Sequence, residues 1–234
     1  GGRDYIYYHA SSAPPNCPLV MVFHGYGGTA QEIMDYSEFN ALAEEFGFAV
    51  CYPQGTLDGS NTTFFNVGYD FQNNETVDDV TFVVDLVTSL QSIYSLSSED
   101  VFSTGMSNGG DFSYMLACQA SETFRAIAPV AGMILQDIMD NCNPANEVSI
   151  LEIHGTQDNV TPFEGDPTNI DGWGAYPSIP NTIDFFTNLY GLTSPSSSTF
   201  PNIDPTDGST VDSEKHIGFA SCTQVWLYTV NGGG

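Results

Sequence analysis

The sequence predicts an α/β fold in which a mostly parallel central sheet carries helices on both faces. Short apolar runs near residues 18–23, 48–52, 100–104, 125–130, 148–153 and 224–230 read as strands, and helical patterns stand between most of them. A Gly105-Met106-Ser107-Asn108-Gly109 turn joins one such strand directly to one such helix. With 234 residues, 41% of them hydrophobic, the chain suits one large domain with a full core.

Taken in order, Asp4 to Tyr8 alternates loosely before Pro14-Pro15 and reads as an edge strand. Pro18 to Phe23 is continuously apolar, as expected of a strand buried on both faces, and stops at His24-Gly25-Tyr26-Gly27-Gly28. Thr29-Ala30-Gln31-Glu32 is a capping-box signature for one helix reaching Phe46, with Gly47 just past its end. Phe48 to Tyr52 is the next buried strand. Residues 55–75 form a long loop that carries Phe64, Phe65, Tyr69 and Phe71, and loops of such length in a compact domain are functional or disordered. Thr76 is expected to cap a helix, since Val80, Val83, Val84, Val87 and Leu90 follow helical spacing. After the Ser107 turn and its helix come a strand to Val130 and another from Val148 to Ile153, which stops at His154-Gly155-Thr156-Gln157-Asp158. Residues 159–180 are an excursion holding Trp173 and Tyr176. Ser178 to Tyr190 reads as a helix, 191–213 as a Ser/Pro/Thr/Asp loop, and Gln224 to Val230 as the last strand before Asn231-Gly232-Gly233-Gly234.

Charge excludes several classes of partner. Three Lys+Arg stand against 29 Asp+Glu, a net charge of −26, so no basic patch can meet nucleic acid or an anionic membrane. The acids are scattered, which fits a folded acidic surface and a saline extracellular setting. No apolar run approaches the length of a membrane span, and the Gly1-Gly2 start reads as a processed or trimmed end. Five cysteines predict at least one disulfide, with Cys118–Cys142 the preferred pair; Cys51 reads as a buried thiol, and Cys17 and Cys222 are unplaced. No Cys or His spacing supports a metal site, and no cofactor is expected.

Gly-x-Ser-x-Gly between strand and helix is the nucleophile elbow of an α/β-hydrolase, in which a sharp turn lifts the serine hydroxyl clear of the sheet. Ser107 is therefore the candidate nucleophile. A hydroxyl needs a base to take its proton and a carboxylate to orient that base, in the chain order Ser, acid, His. Asp158, on a turn straight after a buried strand, takes the second place ahead of Glu164 and Asp166. The oxyanion-hole amides fall to Asn108, which follows the nucleophile, and to Tyr26 on the His24-Gly25-Tyr26 turn. His24 and His154, each ending a buried strand, read as structural or loop-orienting. The order rule places the base after the final strand, where Asn231 to Gly234 carry no histidine, while His9 and His216 precede that strand.

These residues resemble the secreted feruloyl esterase and polyhydroxybutyrate depolymerase branch of the α/β-hydrolases, the carbohydrate esterase family 1 type. The matching segments are His24-Gly25-Tyr26-Gly27-Gly28, Tyr52-Pro53-Gln54-Gly55, Asp78-Asp79-Val80, Thr104 to Gly110, Ala128-Pro129-Val130-Ala131-Gly132 and His154-Gly155-Thr156-Gln157-Asp158. In that family an Asn-Gly-Gly-Gly-type turn leads into the catalytic His. The resemblance thus implies a single catalytic domain over 1–234, cut just before its base; appended binding or sorting domains outside it are left open. It also implies a secreted serine esterase for feruloyl or acetyl esters on polysaccharide. The alternatives are a polyester depolymerase and a non-catalytic polysaccharide-binding relative. Phe64, Phe65, Tyr69 and Trp173 would stack on a phenolic acid or sugar, or serve as loop packing. The family's Asn-Gly-Cys is absent at Asn188 to Leu192, which leaves Cys222 without that partner, and Asn108 stands where related polyester hydrolases carry Met.

Overall fold

The computed structural model describes residues 2–72, 74–193, 195–218 and 222–234; Gly1, half of the expected trimmed end, lies outside them. A nine-stranded sheet organises the chain. Strand β1 (Tyr5–His9) forms one edge and runs antiparallel to β3 (Ala49–Pro53). Beside β3 come β2 (Leu19–Phe23), β6 (Val101–Met106), β7 (Ala126–Val130), β8 (Ser149–Gly155) and β11 (Gln224–Asn231), all parallel. β10 (Thr210–Ile217) and β9 (Pro195–Thr199) finish the sheet as antiparallel strands. That pair lies within the stretch 191–217, where the sequence reads as a loop to 213. The exposed strand Pro-Ser-Ser-Ser-Thr has no apolar alternation to announce it. A small hairpin of β4 (Thr56–Leu57) and β5 (Thr63–Phe64) likewise sits inside the long 55–75 loop.

The capping box at Thr29 starts α1 (Ala30–Ser37), its hydroxyl accepting from the Glu32 amide. The single helix expected from there is two. Glu38 adopts a left-handed φ of 54°, which ends α1 and opens α2 (Phe39–Phe46), and Gly47 closes α2 with its amide on the Ala43 carbonyl. The cap of α3 (Asp79–Tyr94) is Asp78 and not Thr76, because the Asp78 carboxylate accepts from the Thr81 amide at 2.9 Å. α4 (Asn108–Gln119) follows the elbow, and α5 (Gln136–Asp140) is a short turn. α6 (Ile179–Leu189) is capped by Ser178 and carries Pro180 in its first turn, where a missing N–H costs nothing.

Two cores result. α1 and α2 cover Val22, Val50 and Tyr52 on one face. The other face packs Met21, Phe23, Ile127, Ile150 and Leu227 under α3, α4, α5 and α6. The first face is covered only over β1, β3 and β2. Farther along, Ala126, Ala128, Leu151 and Trp226 are half-exposed while their strand neighbours are buried. Cys118 at the end of α4 and Cys142 after α5 form the expected disulfide, and Cys51 is a buried thiol as read. Among the described residues no helix is long and apolar enough to cross a membrane.

Candidate active site

The parallel register lines up the carboxyl ends of the central strands. Phe23 pairs with Gly105, Met106 with Val130, Val130 with Ile153, and Gly155 with Val230. The turns leaving those positions therefore meet along one edge, the place where open α/β sheets bind ligands.

Ser107 takes the first of these turns at φ 54° and ψ −124°, and its amide donates to the Val130 carbonyl at 2.9 Å. Such backbone is strained for any residue with a side chain and persists because the surroundings impose it. The two motif glycines explain how. A Cβ on Gly109 would lie 2.3 Å from the Phe23 carbonyl oxygen, and one on Gly105 would lie 2.6 Å from the Gly109 carbonyl carbon. β2, β6 and α4 thus touch backbone to backbone around the serine. Gly25 is close on the other side, where a Cβ would stand 4.0 Å from the Ser107 Oγ.

Asn108 opens α4, so its amide is among the helix N-terminal donors without an intrahelical acceptor. Its side chain is fully buried and pairs with Phe65 twice, accepting from the amide at 2.8 Å and donating to the carbonyl at 2.9 Å. It also donates to the Tyr69 hydroxyl at 3.0 Å, and that hydroxyl donates to Asp111. The residue after the nucleophile therefore clamps the 64–72 segment. Sequence reasoning assigned Asn108 a backbone role and had no signal for this one.

Tyr26 sits on the turn beside Gly25. The Gly27 and Gly28 amides of that turn are engaged by the Thr63 and Gly25 carbonyls. The Tyr26 hydroxyl donates to Asp58 at 2.6 Å. Burial would raise the Asp58 carboxyl, yet donation from Tyr26, Thr62, Gln72 and Ser60 holds it at about 2. His24 ties this turn to the one after β3. Its Nδ1 bonds the Gly25 carbonyl at 2.7 Å, and its Nε2 accepts from the Gly55 amide at 3.0 Å. Burial lowers its pKa, and both ring nitrogens are engaged, so His24 is loop-orienting.

The expected aromatic residues divide. Phe64, Phe65 and Tyr69 are buried, Phe65 packing on Phe23 and Phe112, so these three are core and offer no face to a ligand. An aromatic in a loop reads the same from sequence whether it points in or out. Trp173 is half-buried and meets Tyr26 edge-on at 5.7 Å between ring centroids and Phe71 at 5.1 Å. Phe71, half of it exposed, was not singled out as a site residue although it shares the loop. Tyr26, Phe71 and Trp173 make an aromatic shelf beside the Gly25–Ser107 contact.

Asp158 occupies the turn after β8. Its Oδ1 accepts from the Val160 and Thr161 amides, each at 2.8 Å. The last turn of the chain packs against it: Gln157 donates to the Gly233 carbonyl at 2.8 Å, and a Cβ on Gly234 would lie 2.7 Å from the Asp158 nitrogen. His9 pairs with Ala49 at the start of β3, and His216 with Val225 near the start of β11, so both lie at the opposite edge of the sheet. Among the described residues no group of His, Cys, Asp and Glu is arranged to hold a metal ion.

Residues 4–183 match the family model of the esterase PHB depolymerases, more than half of the chain. The chain belongs to that family. It is 28% identical over 163 residues to the bifunctional acetylxylan esterase/xylanase XynS20E of Neocallimastix patriciarum, covering 70% of this chain and 22% of that protein. It is 26% identical over 170 residues to feruloyl esterase C of Emericella nidulans, covering 71% of this chain and 59% of that protein. The chain thus spans between a fifth and three-fifths of these two relatives' lengths. Among solved structures, the acetyl xylan esterase from Aspergillus awamori superposes with a TM-score of 0.65 at 17% identity, over 98% of this chain and 88% of that one. This likeness shows the α/β-hydrolase fold.

Proposed function

We propose that this chain is the catalytic domain of a secreted serine carboxylic ester hydrolase that cleaves feruloyl or acetyl esters from polysaccharide side chains. The observation that carries the reading is Ser107 on its strained elbow, with the Gly25–Tyr26 turn packed beside it. In this reading the Ser107 Oγ attacks the ester carbonyl. The Tyr26 and Asn108 amides hold the oxyanion, and Asp158 orients the base. The base in this reading is a histidine held on Asp158, third in the chain order Ser, acid, His. The histidine takes the Ser107 proton and returns it to the leaving alcohol, and water then releases the acid by the reverse sequence. The Tyr26–Phe71–Trp173 shelf supports an aromatic or sugar ligand. The disulfide supports an oxidising, extracellular setting. The family match favours a hydroxyalkanoate polyester as the second reading.

The test assays the natural protein on methyl ferulate, acetylated xylan and a polyhydroxybutyrate film. Ser107→Ala should remove turnover on the preferred substrate by several orders of magnitude with little change in melting temperature. Activity within about tenfold of the parent would overturn the nucleophile assignment.

A further inference from the structure

His154 and Glu152 lie on β8 with fully buried side chains, beneath the turn that carries Asp158. The His154 Nε2 stands 2.8 Å from the Thr161 carbonyl, an acceptor only, so this nitrogen carries a proton. Its Nδ1 stands 2.8 Å from the Glu152 Oε1. Glu152 is itself surrounded by donors: the Tyr114 hydroxyl reaches Oε2 at 3.0 Å and the Gly132 amide donates as well. Burial raises the Glu152 carboxyl from 4.5 to about 7, against the His154, Tyr114 and Gly132 donors; with donors on each of these sides Glu152 is the acceptor of the pair, which leaves the second ring proton on Nδ1. The ring is then an imidazolium, and its Nε2 lies 3.7 Å from the Asp158 Oδ2. Burial works against charge on His154, but the Glu152 contacts outweigh it and raise the pKa. The remaining groups facing the pair are Asp111 and Tyr114 on α4 and the ring of Phe163, 6.0 Å away edge-on.

We propose that the buried Glu152–His154 ion pair is the positioning device for the active-site acid. It fixes the 158–161 turn through the Thr161 carbonyl and sets a positive charge behind Asp158. Thr161 is held from both sides: its carbonyl accepts from His154 while its amide donates to Asp158 Oδ1 at 2.8 Å. Asp158 Oδ1 is then filled by two amides, which leaves Oδ2 for the base. Neither residue touches a reacting atom. This inference rests on the esterase reading for its catalytic consequence and on geometry alone for the state of the ring.

Two variants separate the charge from the tether. Glu152→Gln keeps the shape and leaves His154 singly protonated; His154→Phe cuts the bond to Thr161. In the full-length protein, Glu152→Gln should lower kcat by roughly tenfold or more with KM within about twofold, and should shift the acid limb of the kcat/KM pH profile. His154→Phe should speed amide exchange of Val160 and Thr161. In a Ser107→Ala background, ¹⁵N spectra should show both His154 ring nitrogens protonated from pH 5 to 8, and only one in the Glu152→Gln protein. A singly protonated His154 in the parent, or unchanged Val160 and Thr161 exchange in His154→Phe, overturns the proposal. So does an unaltered pH profile in Glu152→Gln. If no Ser107-dependent hydrolysis exists, the esterase reading fails, while the spectra and the exchange rates still decide the positioning pair.

Discussion

The side chain of Asn108 pairs with the backbone of Phe65 as one strand pairs with another, giving and taking a hydrogen bond at 2.9 and 2.8 Å. A fully buried amide thereby joins the first turn of the elbow helix to the loop that supports the aromatic shelf. Asn108→Ala leaves the oxyanion amide in place but strands the Phe65 N–H and C=O, each costing about 1–3 kcal/mol. At roughly 2–4 °C per kcal/mol for a chain of this size, the melting temperature should fall by about 4–24 °C. Turnover should fall with it, as the loop loosens. A thermal melt within a degree of the parent's would refute the clamp.

How much of this was legible in the sequence depends on what each residue's partner is. The elbow was, because its requirement is written in residue type: Gly105 and Gly109 are forced by approaches of 2.6 and 2.3 Å that a Cβ would fill, and the motif records that demand directly. The turn bearing Asp158 was found by chain order, since the strand before it is strongly apolar. The Asn108 clamp was not, because its partner is backbone 43 residues away, which leaves no mark in the sequence. Sequence left stacking and packing both open for Phe64, Phe65 and Tyr69, which are buried, for a related reason: an aromatic in a loop carries no periodicity to orient it. β9 escaped because a serine strand exposed on both faces has no hydrophobic alternation at all.

The Cys118–Cys142 bridge spans 24 residues and staples the end of α4 to the segment after α5. By loop-closure entropy such a crosslink is worth about 3 kcal/mol. The Cys118→Ser, Cys142→Ser double variant should melt roughly 6–12 °C lower. Because the bridge is remote from the elbow, kcat below the melting range should be unchanged within about twofold. Loss of activity without loss of stability would contradict this division.

Salt should stabilise the protein. With a net charge of −26, like-charge repulsion favours expansion of the chain, and a Debye length of about 10 Å at 0.1 M screens it. The melting temperature at pH 7 should climb over the first few hundred millimolar NaCl and then level off. A flat or falling curve would show that the acidic surface is already neutralised by its local hydrogen bonds.

The last prediction concerns pH, and its sign follows from which carboxyls the fold favours charged. Asp111 is buried in the first turn of the elbow helix, where it accepts from Tyr69 and from the Met133 amide. Burial outweighs those donors and raises its pKa from 3.8 to about 7. A raised folded-state pKa means that the folded protein holds the proton more tightly than the unfolded chain does. The associated stability is complete below the unfolded value and is lost as pH rises through about 7. The raised His154 pKa carries the same sign. Asp58 runs the other way: its pKa is held at about 2, so its contribution is present above the unfolded value and vanishes as pH falls towards 2. Stability at fixed ionic strength should therefore peak in mild acid and decline on both sides. Asp111→Asn removes the titrating proton, and its stability between pH 5 and 8 should be flatter than the parent's. Urea unfolding across that range is the measurement. A parent protein whose stability rises steadily from pH 5 to 8 would mean that the donors around Asp111 outweigh its burial, reversing the balance argued here.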